Sequence, residues 1–81
     1  MPRVTLSAPF DRDWFGGTGE LLVEAKNLFA LARALDAMAP GFGAVIDGKV
    51  SVAVNGVAAS DWSAPLGADD EVLLLPKIAG G

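Results

Sequence analysis

The sequence predicts an α+β fold, a mixed sheet with one main helix packed across one face. Three observations carry this. Four to five short stretches alternate apolar and polar residues, as half-buried strands do. A single segment, residues 28–39, has helical periodicity. At 81 residues with 52% apolar and 20% charged side chains, the chain suffices for one modest core and not for two.

The elements follow in order. Arg3-Val4-Thr5-Leu6-Ser7 reads as a first strand with Val4 and Leu6 inward. Ala8 to Thr18, rich in Gly, Asp and aromatics (Phe10, Trp14, Phe15), reads as a loop with room for one helical turn. Glu20 to Ala25 is a second strand, with Leu21, Val23 and Ala25 facing in and Glu20, Leu22 and Glu24 facing out.

Asn27 suits an N-cap, because its side chain can accept from a backbone N–H left over in the first helical turn. Leu28, Leu31, Leu35 and Met38 then fall on one helical face, and five alanines between 30 and 39 raise helix propensity. Pro40-Gly41 stops the helix. Gly43 to Gly48 reads as irregular, with Asp47-Gly48 a turn. Val50 to Val54 is a third strand. Asn55-Gly56 is a hairpin turn with positive φ at both central residues, and Val57-Ala58-Ala59 returns as a short strand. Pro65 to Asp70 is a turn, and Glu71 to Leu75 is the last strand. Two strands, a crossing helix and further strands is the order of a β-grasp, or ubiquitin-like, fold. The expected organisation is a β-grasp domain over residues 1–75 and a flexible tail over 76–81.

Composition narrows the chemistry. Ten acidic residues against six scattered basic ones give a net charge of −4, which argues against nucleic acid or an anionic membrane as partner. With neither Cys nor His, the chain has no thiol nucleophile, imidazole base or thiolate or imidazole metal ligand. Asp69-Asp70-Glu71 and the Asp11, Asp13 pair read as solvated turns, not metal sites. Trp14 and Trp62 read as packing residues. No apolar leader or membrane-length run is evident, so a cytoplasmic location is expected.

The tail Pro76-Lys77-Ile78-Ala79-Gly80-Gly81 is the most distinctive stretch. Two glycines without Cβ atoms make the thinnest backbone, able to enter a slot that any side chain would block. Six extended residues span roughly 20 Å. Pro76 restricts the tail where it leaves the sheet, Ile78 suits an apolar notch, and Lys77 suits an acidic rim. If Val72 and Leu74 face the helix, Leu73 and Leu75 occupy the opposite sheet face. They are expected beside Leu22 and Ala53, as an exposed docking patch unless a loop covers them.

Taken together, Asp47-Gly48-Lys49, Val52-Ala53-Val54-Asn55-Gly56, Pro65-Leu66, Asp69-Asp70-Glu71-Val72, Leu75-Pro76 and Gly80-Gly81 resemble the C-terminal half of the bacterial ubiquitin-like sulphur carriers. The look is nearest the small subunit of molybdopterin synthase, with the thiamine-biosynthesis carrier a relative. The likeness covers roughly the last 35 residues. The N-terminal half departs, offering Arg12-Asp13 as a loose equivalent of the family's Arg-Glu pair.

The resemblance implies that Gly81 carries the reacting carboxylate. An E1-like adenylyltransferase activates it with ATP, and a sulphur donor protein converts the adenylate to a thiocarboxylate. Gly80, Ala79, Ile78, Lys77, Pro76, Leu75, Leu73 and Leu22 are then the expected partner-binding residues, meeting a larger synthase subunit. No bound cofactor or metal is implied, and the chain alone is a co-substrate and not an enzyme. Within the carrier class the resemblance puts molybdopterin synthesis first and thiamine or another thio-metabolite next. Outside it two alternatives stay open: a modifier whose activated Gly81 is taken by a lysine amine, and a binding module that never activates its terminus.

Overall fold

The computed structural model describes residues 1–77. Eight elements follow one another: β1 (Arg3–Leu6), α1 (Phe10–Trp14), β2 (Glu20–Leu22), α2 (Leu28–Met38), α3 (Phe42–Lys49), β3 (Val50–Val54), β4 (Val57–Ala58) and β5 (Glu71–Pro76). The strands form one sheet in the order β2-β1-β5-β3-β4. Only β1 and β5 run parallel, and every other pair is antiparallel. The last strand made is thus the middle strand of the sheet, and the fold is the expected α+β β-grasp.

Burial follows the alternation. Val4, Leu6, Val50, Val72 and Leu74 point to the helix side, where they meet Leu28, Leu31 and Leu35 of α2. Asn27 caps α2 by accepting from the Ala30 N–H at 2.8 Å. A second restraint comes from far along the chain, as the Trp62 carbonyl accepts from the Leu28 and Phe29 N–H groups at 3.1 and 3.4 Å. The Asn55-Gly56 turn has φ of +51° and +82°, as its sequence requires.

Four expectations need correction. Residues 43–48 are not irregular but lie within α3. Gly41 enters the helix at φ +100°, where Asp36 Oδ1 accepts from the Gly41 and Gly43 N–H groups at 3.1 and 2.9 Å. Phe42 and Ile46, one turn apart, bury themselves in the core. Met38 does not share the buried face of α2 and is 53% exposed, because that face ends at Leu35 and Ala39. The second strand is paired only over Glu20–Leu22, although Val23 and Ala25 still point inward.

The fourth correction concerns the end of the last strand, which reaches Pro76 and not Leu75. Pro76 stands in register with Val50, and the Lys77 N–H donates to the Lys49 carbonyl at 2.9 Å. The ladder therefore runs past residue 75. Ile78, Ala79, Gly80 and Gly81 lie outside the described residues.

The aromatic loop after β1 also acquires a role. Phe10, Trp14 and Phe15 surround the fully buried ring of Phe42, with centroids 6.0, 5.5 and 5.0 Å away. Edge-on and tilted contacts of this kind add to simple area burial.

Candidate functional site: the open sheet face and the root of the tail

The sheet has one covered face and one bare face. All three helices and the 59–70 loop contribute their apolar side chains to the covered side, through the same core cluster. Register lays out the bare face in rows. Leu22, Arg3 and Glu71 form one row, and Thr5, Leu73, Ala53 and Ala58 the next. Leu75 opposite Ser51 follows, and beyond the last pair, Val50 with Pro76, the Lys77 N–H donates to the carbonyl of Lys49, the last residue of α3.

Leu73 and Leu75 therefore stand on the open face. Their immediate neighbours, Thr5, Ala53 and Ser51, are short. Two leucines flanked by small side chains make a ridge along β5 that leads straight to the tail. Leu73 is half-buried by its strand neighbours and Leu75 is 37% exposed. Leu73 takes no part in the core cluster.

Leu22 is placed differently from its expected position. It is 65% exposed and on the same face, but register puts Arg3 beside it and Glu71 beyond. Arg3 Nη1 and Glu71 Oε1 are 3.4 Å apart, so an exposed ion pair separates Leu22 from the leucine ridge. The sequence could not give this, because it depends on how far β2 is offset along β1.

The acidic residues near the turns serve the backbone. Asp70 Oδ1 accepts from the Asn55 side-chain amide at 2.9 Å and Oδ2 from the Gly67 N–H at 2.7 Å. These bonds, the amide first, hold the Asp70 carboxyl below the usual range. Asp61 is lowered in the same way by the Ser63 hydroxyl and then the Ser63 N–H. Among the described residues no group of His, Cys, Asp or Glu is placed to hold a metal ion. None of their helices is long and apolar enough to cross a membrane.

On the opposite side of the domain, a groove of about 800 Å³ runs between α2 and α3, with Phe29 and Trp62 at one end, their rings 5.8 Å apart. Sequence reading missed it because it depends on α3. It lies on the helix side, away from the open face.

Comparison with known proteins agrees with this picture. The fold matches CysO of Mycobacterium tuberculosis (TM-score 0.83, 17% identity, 96% of this chain and 100% of that one). It also matches the small archaeal modifier protein 1 of Methanosarcina acetivorans (0.81, 23%, 99% and 95%). A third match is to a complex of subunits 1 and 2 of the molybdopterin-converting factor of Helicobacter pylori (0.70, 24%, 99% and 97%). At these identities the likenesses establish the fold alone. No match was found among curated proteins. The ThiS family model, however, matches residues 12–81, most of the chain and all of its tail. The chain belongs to the ThiS family, the ubiquitin-like sulphur carriers.

Proposed function

We propose that the protein carries sulphur on the α-carboxylate of Gly81 and delivers it to a larger synthase subunit in molybdopterin biosynthesis. The observation that carries this reading is the continuity from Leu73 and Leu75 on a bare sheet face, through Pro76 and Lys77, into a diglycine that the family model includes. A docking ridge and a side-chain-free terminus are what a partner needs to hold the domain outside while admitting its end.

The chemistry needs no catalytic side chain from this chain. The Gly81 carboxylate attacks the α-phosphorus of ATP in the active site of an E1-like adenylyltransferase, and pyrophosphate leaves. The terminal sulphur of a donor protein's persulphide then attacks the acyl carbon and expels AMP. A thiol attacks the donor's own sulphur in the acyl disulphide so formed, releasing the thiocarboxylate and leaving the donor and that thiol as a disulphide. Free sulphide expels AMP and gives the thiocarboxylate directly. Its ionised sulphur is a nucleophile made without cysteine, which agrees with a chain that has none. ATP belongs to the activating enzyme, and the synthase complex, not this chain by itself, is the enzyme. The molybdopterin assignment draws on the resemblance of the C-terminal half and on the fold shared with the Helicobacter pylori complex.

The modifier reading is supported by the fold match to the archaeal modifier protein, at a TM-score of 0.81 against 0.70 for the Helicobacter pylori complex. There a lysine amine, not sulphur, takes the acyl group. Intact mass after incubation with ATP, sulphide and a cell extract separates the two. The carrier reading expects a gain equal to one oxygen replaced by sulphur, absent when Gly81 is deleted. Isopeptide-linked products without that gain would favour the modifier, and an unchanged mass beside an active control carrier would overturn both.

A further inference from the structure

Two lysines have neighbouring backbones where the tail begins. Register ends with Val50 against Pro76, and beyond that pair the Lys77 N–H donates to the carbonyl of Lys49, the last residue of α3, at 2.9 Å. Both side chains are exposed, and neither is in an ion pair, which among the described residues are Arg3–Glu71 and Arg12–Asp13.

The surroundings sharpen the point. The chain has ten acidic residues to six basic, so carboxylates are the common choice at its surface. Lys49 ends α3, where a cation meets the negative end of the helix favourably. That accounts for Lys49. It does not account for a second exposed cation bonded to it through the backbone, two residues beyond Leu75 where the chain leaves β5.

Resting on the carrier reading above, we infer that Lys49 and Lys77 form a two-cation site that engages an acidic rim around the partner pocket receiving the tail. Their position suits a protein rim better than the nucleotide. Four residues separate Lys77 from the reacting carboxylate, up to about 13 Å of extended chain, which carries the nucleotide beyond the lysines. The rim of the pocket stays beside them. A local positive site in an acidic domain also guides the approach, speeding association at low salt and losing that effect as salt screens it.

The test uses the conversion assay above, with initial rates of thiocarboxylate formation measured against carrier and ATP concentrations at low and high salt. For the Lys49→Glu/Lys77→Glu variant, the carrier concentration giving half-maximal rate rises about tenfold or more at low salt and returns toward wild type at high salt. The half-saturating ATP concentration does not move. Lys77→Glu alone, at an exposed position outside the ion pairs of the described residues, melts no lower than wild type and shows the same salt-dependent shift in smaller degree, so slower conversion cannot be blamed on unfolding. An unchanged carrier dependence at low salt, or a shift in the ATP dependence instead, overturns the inference while leaving the carrier reading intact. Failure of the wild-type chain to gain sulphur overturns both.

Discussion

Asn55 donates from its side-chain amide to Asp70 at 2.9 Å, tying the β3–β4 hairpin turn to the bend that launches β5. The tie is reciprocal, since Asn55 Oδ1 accepts from the Glu71 N–H at 2.9 Å and the Asn55 N–H donates to the Glu71 carbonyl at 2.8 Å. One residue thus supplies a left-handed turn conformation and three hydrogen bonds.

Asn55→Ala should lose both contributions, at a cost of about 1–2 kcal/mol. Asn55→Gly keeps the positive φ and loses only the side-chain bonds, so it should be the less damaging of the two. Urea denaturation of both variants checks the order. Equal midpoints for alanine and wild type would show that the tie contributes nothing.

The same tie makes stability depend on acid. The Asp70 and Asp61 carboxyls are lowered by hydrogen bonds that favour the charged form. A group whose folded value lies below its unfolded value, about 3.9, contributes fully above that pH and loses its contribution as pH falls through the folded value. The melting temperature should therefore decline below about pH 4, and less steeply in Asp70→Asn. A parallel decline in the two proteins would refute the assignment.

Asp36 holds the start of α3 through two backbone N–H groups. Asp36→Ala should cost about 1 kcal/mol, the usual loss on removing a helix-capping acceptor. Gly43 is the complementary probe. A Cβ there would lie 3.1 Å from Asp36 Oδ1, so Gly43→Ala should push the cap aside by a few tenths of an ångström without removing it. Amide exchange at Gly41 and Gly43 reports both effects, and protection equal to wild type in Asp36→Ala would contradict them.

Phe42 should be among the most sensitive core positions. It has no solvent exposure and contacts three aromatic rings. Phe42→Ala should cost about 3–5 kcal/mol. Loss of the near-ultraviolet dichroism from Trp14 would accompany it, and a variant keeping both signals would argue against this packing.

What was legible in the sequence is what neighbouring residues decide. Asn27 and the Leu28, Leu31, Leu35 spacing defined α2, Asn55-Gly56 defined the hairpin, and alternation around Val72 and Leu74 placed Leu73 and Leu75 on the open face. The motifs from Asp47 to the terminal glycines together carried the family resemblance. What escaped was decided at a distance. The N-terminus of α3 is held by Asp36 of another helix, and its glycines lower local propensity. The aromatics after β1 pack on Phe42, a residue with no local sign of their arrival. Leu22 was assigned the right face but the wrong neighbours, because strand offset is not written in alternation.

The central position of β5 bears on how the protein is made. Synthesis produces β1 and β2 first, then β3 and β4, as two separate hairpins whose inner edges await a common partner. Until residues 71–76 leave the ribosome, those edges stay open, and each can recruit a strand from another nascent chain. A stalled or nicked product lacking β5 has no sheet to fall back on. The strand that closes the sheet is also the one that leads into the tail, so a chain able to fold has already been made as far as the root of that tail.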